Sequence, residues 1–225
     1  MTFADSVLSF YNKLISPVLP GDIEALLPFR EPAVWEYMNQ FYHRFYNDEH
    51  PRILLFGINP GRLGAGKTGI GFTDPIRLSE VCGIVHDIDM KPEPSSVFMY
   101  EMIRQFGGPE KFFYHFHFTS VSPIGFIRKG INYNYYDDPE LLQAVDPLIR
   151  DSIEKQIKFS VNTDIAFSIG KGRNIKCLTG LNNENNWFKM LKTLPHPRWV
   201  VQYQHKDMQK YIDLYLQELN SVISE

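Results

Sequence analysis

Arg52-Ile53-Leu54-Leu55-Phe56-Gly57-Ile58, halted by Asn59-Pro60-Gly61, decides the fold. Its apolar residues are continuous rather than alternating, the pattern of a strand covered on both faces. Asn-Pro-Gly ends it, because proline brings no N–H to a ladder and glycine takes backbone angles closed to other residues. Upstream, residues 2–16 and 31–46 read as amphipathic helices around a turn from Pro17 to Pro32. Downstream, 95–106 reads as a helix with a serine cap and Gly107-Gly108 as its stop. FFYHFHFTSV over 112–121 alternates like a strand and ends at Ser122-Pro123. A long helix is expected over 139–159 and a strand over 164–169. A weaker strand at 188–194 runs into Pro195-His196-Pro197, and a last helix covers 206–223. Strands alternating with helices predict an α/β fold of three layers, α/β/α, with a mostly parallel four-stranded central sheet. Residues 1–225 read as one domain, with 1–46 as an N-terminal helical extension. The working site of such a sheet lies beyond the carboxyl ends of its strands. Three ends are chemically unusual: Asn59-Pro-Gly, Thr119-Ser-Val-Ser-Pro and His196-Pro-Arg.

Composition narrows the classes. With 44% hydrophobic and 22% charged residues, the chain can build a core and is not a disordered polymer. No apolar run approaches the roughly 18 residues of a membrane helix, and the first residues lack the basic and apolar regions of a signal peptide. Cys82 and Cys177 are too few for a disulfide framework or a four-thiolate cluster, which fits a reducing cytoplasm. The net charge of −3 excludes a body that is basic all over, so any nucleic-acid contact has to be a local patch.

Gly61-Arg-Leu-Gly-Ala-Gly-Lys67-Thr68 matches the phosphate-loop pattern G-x-x-x-x-G-K-[ST] and follows a strand, so a nucleotide binder is one reading. Its context opposes it. Gly69, Gly71 and Pro75 follow within a few residues, where a phosphate loop needs a continuing helix with its N-terminus on the phosphates.

The longer stretch Gly57-Ile-Asn-Pro-Gly-Arg-Leu-Gly-Ala-Gly-Lys-Thr-Gly-Ile-Gly-Phe72 resembles the first motif of the uracil-DNA glycosylase superfamily. It is most similar to the single-strand-selective monofunctional branch, which carries G-M-N-P-G-P-F-G and then T-G-V-P-F at the same spacing. Phe106-Gly-Gly-Pro-Glu-Lys-Phe-Phe113 resembles that branch's C-G-Q-P-E-V-F-F, Ser122-Pro-Ile-Gly-Phe126 its C-P-L-L-F, and His196-Pro197 the start of its H-P-S-P-R-N. The similarity covers residues 50–215.

The resemblance implies a monofunctional DNA glycosylase that flips a deaminated base out of DNA, uracil first, and hydrolyses its N-glycosidic bond without metal or organic cofactor. The chemistry needs a polar group to place water, a donor for the charge growing on the departing base, and a wall for the flipped base. Asn59 suits the first task and His196 the second. Phe72 supplies the wall, and Gly57, Ile58, Pro60 and Gly61 the rest of the base pocket. Arg198 and Trp199, just past the histidine, are candidates to fill the gap left by the base. Lys67, Arg62, Arg128 and Lys129 are candidates for phosphate. No lysine occupies a matching motif position as a Schiff-base nucleophile, so no strand cleavage is expected.

Two departures from the pattern bear on specificity and on the histidine. Where the family reads uracil with an asparagine, this chain has Ser120, which lacks the paired donor and acceptor of an amide. A more open pocket would admit deaminated purines too. After His196-Pro197 the chain runs Arg-Trp-Val-Val-Gln-Tyr, which leaves open a strand over 200–204 and His205 as the working histidine. A non-catalytic binder of damaged DNA is the other alternative. Outside these motifs, His115 and His117 read as structural, and Tyr133 to Tyr136 as a packed loop. The expected partner is DNA, met by a monomer with no membrane contact.

Overall fold

A computed structural model of the protein describes residues 1–223. In chain order its elements are α1 (Phe3–Lys13), β1 (Ile23–Leu26), α2 (Pro32–Phe45), β2 (Ile53–Gly57), α3 (Ala65–Thr68), α4 (Pro75–Glu80), α5 (Pro94–Phe106), α6 (Pro109–His115), β3 (Phe116–Ser120), β4 (Gly125–Arg128) and β5 (Ile131–Tyr133), followed by α7 (Pro139–Ile157), β6 (Ile165–Ile169), α8 (Arg173–Asn185), β7 (Met190–Leu194), α9 (Pro197–Tyr203) and α10 (Met208–Asn220).

The quoted strand is central. Four parallel strands lie in the order β3-β2-β6-β7, with Gly57 opposite Ser120 at the carboxyl end. Every residue of β2 and β6 is buried, which explains why both read as unbroken apolar runs. From β2 the chain turns to one side for β3 and later returns to the other for β6. That reversal opens a crevice at the end of β2, the usual ligand position in such sheets. Helices flank the sheet. On one part of the surface α1 packs against α2 and α7; elsewhere α5 packs against α6, α9 and α10.

A second sheet of three antiparallel strands, β1-β4-β5, is not foreshadowed in the sequence. Its strands are only three or four residues long, too short for alternation to show. A two-residue turn joins β4 to β5, and Lys129 and Gly130 both take positive φ there, the turn whose twist suits a hairpin. The N-terminal region is integral to this body. It contributes β1, and Phe3, Phe41 and Tyr42 are among the most buried side chains.

Three local expectations are corrected. The strand expected over 112–121 begins only at Phe116, because Pro109-Glu-Lys-Phe-Phe-Tyr-His115 is helical. Pro109 opens that helix at its first position, and the alternating aromatic text concealed Phe112 and Phe113 packed side by side in the core. The cap of α5 is Glu93, whose carboxylate accepts from the Ser96 N–H at 3.0 Å, rather than a serine. Residues 197–203 are helix and not strand, with Pro197 at the first position and His196 as the cap.

At the amino end of β2, Arg52 is fully buried. Its guanidinium is held by the Asp48 carboxylate, donates to His50 O and Phe113 O, and lies 5.2 Å from the ring centres of both Phe3 and Tyr46. Full pairing of this kind is what makes a buried charge tolerable.

Candidate active site

The ends of β2, β3 and β7 meet at a cleft of about 350 Å³. Its floor is Gly57. A Cβ built there would stand 3.1 Å from the Phe72 ring, so glycine is what lets that ring close over the strand end. Phe72 takes φ of +55°, a left-handed backbone uncommon for a residue with a side chain. Thr68 imposes the loop shape: its buried hydroxyl donates to Thr73 O at 2.7 Å and accepts from the Ile70 N–H at 3.2 Å. The Phe72 ring rests against Phe118 at 5.1 Å and keeps an edge to the cleft, 6.4 Å from the His196 ring.

Asn59, one turn beyond the strand, has its carboxamide clamped. Oδ1 accepts from the Tyr135 N–H at 3.2 Å and Nδ2 donates to Tyr133 O at 3.2 Å. The amide therefore has one orientation, and a second lone pair on Oδ1 remains for a ligand.

His196 lies on the same cleft at the end of β7. Its Nδ1 accepts from the Arg198 N–H at 3.2 Å, as a helix cap. A nitrogen that accepts has no proton, so the neutral ring carries its hydrogen on Nε2, which has no hydrogen-bond partner among the described residues. Burial, and then the nearby Arg198 guanidinium, hold the imidazole down at about 4. At neutral pH it is an uncharged N–H donor.

Ile58, Pro60, Gly61, Ser120, Arg198 and Trp199 also line the cleft. Arg62 and Lys67 are exposed on the stretch after β2 but do not line the cleft, and the Arg62 N–H is held by Asn132 Oδ1 at 3.0 Å. Arg128 is committed elsewhere, to Asp22 at 2.7 Å and Asp138 at 3.7 Å, and is withdrawn as a phosphate contact. His205 is exposed after α9 and does not line the cleft, so His196 is the cleft's histidine. Glu93, Asn132, Gln202 and Tyr203 reach the cleft without having been singled out in the sequence, and so does Asn134, from the stretch read as a packed loop. Glu93 accepts from Ser95 Oγ and stands 3.8 Å from Arg198 Nη2. Tyr203 had a signal: it lies four residues after Trp199, one helical turn on the same face, once 197–203 is a helix.

The phosphate-loop reading fails on geometry. Lys67-Thr68 closes a single helical turn instead of opening a long helix, and the Thr68 hydroxyl faces inward. Nothing there presents a row of N–H groups to a phosphate. His117 is buried among Phe3, Tyr42 and Tyr46. Among the described residues, no three His, Cys, Asp or Glu side chains group as metal ligands would.

A crevice at the end of a parallel sheet, lined by a clamped carboxamide and a neutral imidazole donor, is an arrangement like that of enzymes of the glycosylase class. The chain belongs to the uracil DNA glycosylase superfamily, whose family model matches residues 43–220. Among solved structures it is similar to wild-type SMUG2 of Pedobacter heparinus, with 41% identity over 99% of this chain and 98% of that one and a TM-score of 0.95. This likeness fits the single-strand-selective monofunctional branch. A search of curated protein sequences gives no match.

Proposed function

We propose that the protein is a monofunctional DNA glycosylase that releases uracil, and deaminated purines as well, from DNA at the start of base excision repair. The carrying observation is that Asn59 and His196 line the same cleft as the Phe72 ring. Supporting it is membership of a family whose enzymes act on DNA.

In this reading the flipped base stacks on Phe72, worth on the order of 1–3 kcal/mol. The C1′–N bond breaks with its electron pair going to the base, and the sugar becomes oxocarbenium-like. His196 Nε2–H donates to the base oxygen that gains charge; such a donor contributes roughly 10²–10³ in rate. Asn59 Oδ1 holds the water that bonds to C1′, and the water's proton leaves to solvent or to the departing base. An amide is a weak base, so the barrier falls through departure of the base more than through activation of water. Ser120 stands where an asparagine would read the uracil edge. It leaves a pocket tolerant of hypoxanthine and xanthine. Arg198 and Trp199 fill the gap in the DNA while Arg62 and Lys67 meet phosphates, and the enzyme works as a monomer in the cytoplasm.

The test is a base-release assay on oligonucleotides containing uracil, hypoxanthine or xanthine, single- and double-stranded, followed by alkaline cleavage of abasic sites. Release of uracil is expected, with no strand break before alkali. Binding to abasic or uracil DNA without release at high enzyme would favour the non-catalytic binder instead. Ser120→Asn is expected to lower purine release relative to uracil; an unchanged ratio would remove Ser120 from the account of specificity.

A further inference from the structure

What holds Asn59 lies far from it in sequence. The two shorter hydrogen bonds of its carboxamide end on backbone atoms of 133–135, and a longer one, at 3.5 Å, on Pro60 O. That segment is itself tied down beneath the cleft. Tyr135 is fully buried, and its hydroxyl donates to Asn174 Oδ1 at 3.0 Å. Burial pushes this hydroxyl well above the ordinary tyrosine range, so it remains a donor. Asn174 is 1% exposed and sits in the first turn of α8. Its Nδ2 donates to Gly57 O at 3.3 Å and to Ser168 Oγ at 3.2 Å. Gly57 lies two residues before Asn59. The connections close a ring: Asn59 to the Tyr135 backbone, the Tyr135 side chain to Asn174, Asn174 to Gly57, and Gly57 along the chain to Asn59.

We propose that Asn174 is a positioning residue for the glycosylase reaction, locking the Tyr135 segment to the end of β2 and so fixing how Asn59 presents Oδ1 to the attacking water. This rests on the reading of Asn59 given above. A carboxamide suits the task because it joins two donors and two acceptor lone pairs in a plane and carries no charge into a buried site. Removing it leaves the Tyr135 hydroxyl and one acceptor of Gly57 without their partner, and the segment is then free to shift. A displacement near 1 Å at a reacting group costs about 10²-fold in rate. A purely structural network would cost stability alone.

The experiment measures single-turnover release of uracil, substrate affinity and thermal midpoint for Asn174→Leu and Tyr135→Phe. Each change is made in the wild-type background and in Asn59→Ala, well below the midpoint. Asn174→Leu is expected to lower the cleavage rate about tenfold or more, with affinity unchanged within about twofold. Tyr135→Phe is expected to act in the same direction with a smaller effect, and neither should slow the residual reaction of Asn59→Ala further. The NMR signals of the Asn59 side-chain amide should move in both variants. The tether is overturned if Asn174→Leu lowers the midpoint but spares the rate, or slows Asn59→Ala by the same factor as wild type. Should Asn174→Leu not fold, Tyr135→Phe, which removes one hydrogen bond, carries the same comparison. Full activity in Asn59→Ala would instead overturn the reading of Asn59, and the tether with it.

Discussion

Two side chains do unlike work because their hydrogen bonds leave different atoms free. Asn59 spends Nδ2 and one lone pair of Oδ1 on the backbone of 133–135, and offers an acceptor. His196 spends Nδ1 on capping α9, and offers a donor. Asn59→Ala and His196→Ala should each cut the rate of base release by roughly 10²-fold or more while the circular dichroism spectrum is unchanged. With the imidazole held at about 4, the neutral donor persists far below neutral pH. The single-turnover rate should therefore stay level from pH 8 to about 5.5 and fall as pH approaches 4. A fall centred near 6.5 would show that the ring titrates as it does in water, contrary to its burial.

Among the elements, the glycine loop and the helix after His196 show what sequence patterns conceal. The phosphate-loop text is perfect letter by letter, yet the backbone makes a single turn there, and a motif acts only through the helix behind it. Lys67 and Arg62 remain as exposed cations on the stretch after β2. Lys67→Ala with Arg62→Ala should weaken DNA binding and reduce the steepness of its salt dependence by about one counterion for each lost contact, with little change in single-turnover rate. An unchanged slope would place the DNA backbone elsewhere. The main strands were legible because burial on both faces leaves no polar letters in them. The β-ribbon of β4 and β5 was not, and neither was α8. The strands of that ribbon are too short for a period to register, and α8 is rich in asparagine, which reads as loop. Yet β5 supplies Tyr133 and α8 supplies Asn174, which with Tyr135 in the turn just after β5 hold Asn59. The residues proposed for the base site were named from the family's motifs, and Asn174, proposed to aim Asn59, was not.

For the whole molecule, buried histidines link stability to acid. Burial lowers His117 to about 3 and His196 to about 4, from an ordinary value near 6.5. Between those values and 6.5 the unfolded chain binds more protons than the folded one, so stability rises with pH across that window. It is fully present above 6.5 and is lost as pH drops toward 3. Glu101, held at about 2 by Arg104 and Gln105, adds its loss only below its usual value of 4.5. The thermal midpoint is therefore expected to decline between pH 6.5 and 4.5, before Glu101 contributes. Among the described residues His117 Nδ1 has no partner, and His117→Phe should flatten that decline while release of uracil at pH 7.5 is preserved. A decline as steep in the variant as in the wild type would remove His117 as its source.

Unaided, the sequence determined the layered α/β body, the central place of the strand ending at Asn59-Pro60-Gly61, and the pairing of that end with Phe72 and His196-Pro197. The first two follow from apolar runs and turn residues, which act along the chain, and the third from the resemblance of those stretches to the family's motifs. The three-dimensional structure alone decided which ring nitrogen of His196 is free and that the chain after Pro197 coils into a helix, both through the local cap that the Arg198 N–H makes on Nδ1. It alone decided which way the Asn59 amide points, because its partners Tyr133 and Tyr135 lie 74 and 76 positions away. Contacts of that kind leave no period in the text, because their partners meet only after the sheet has formed.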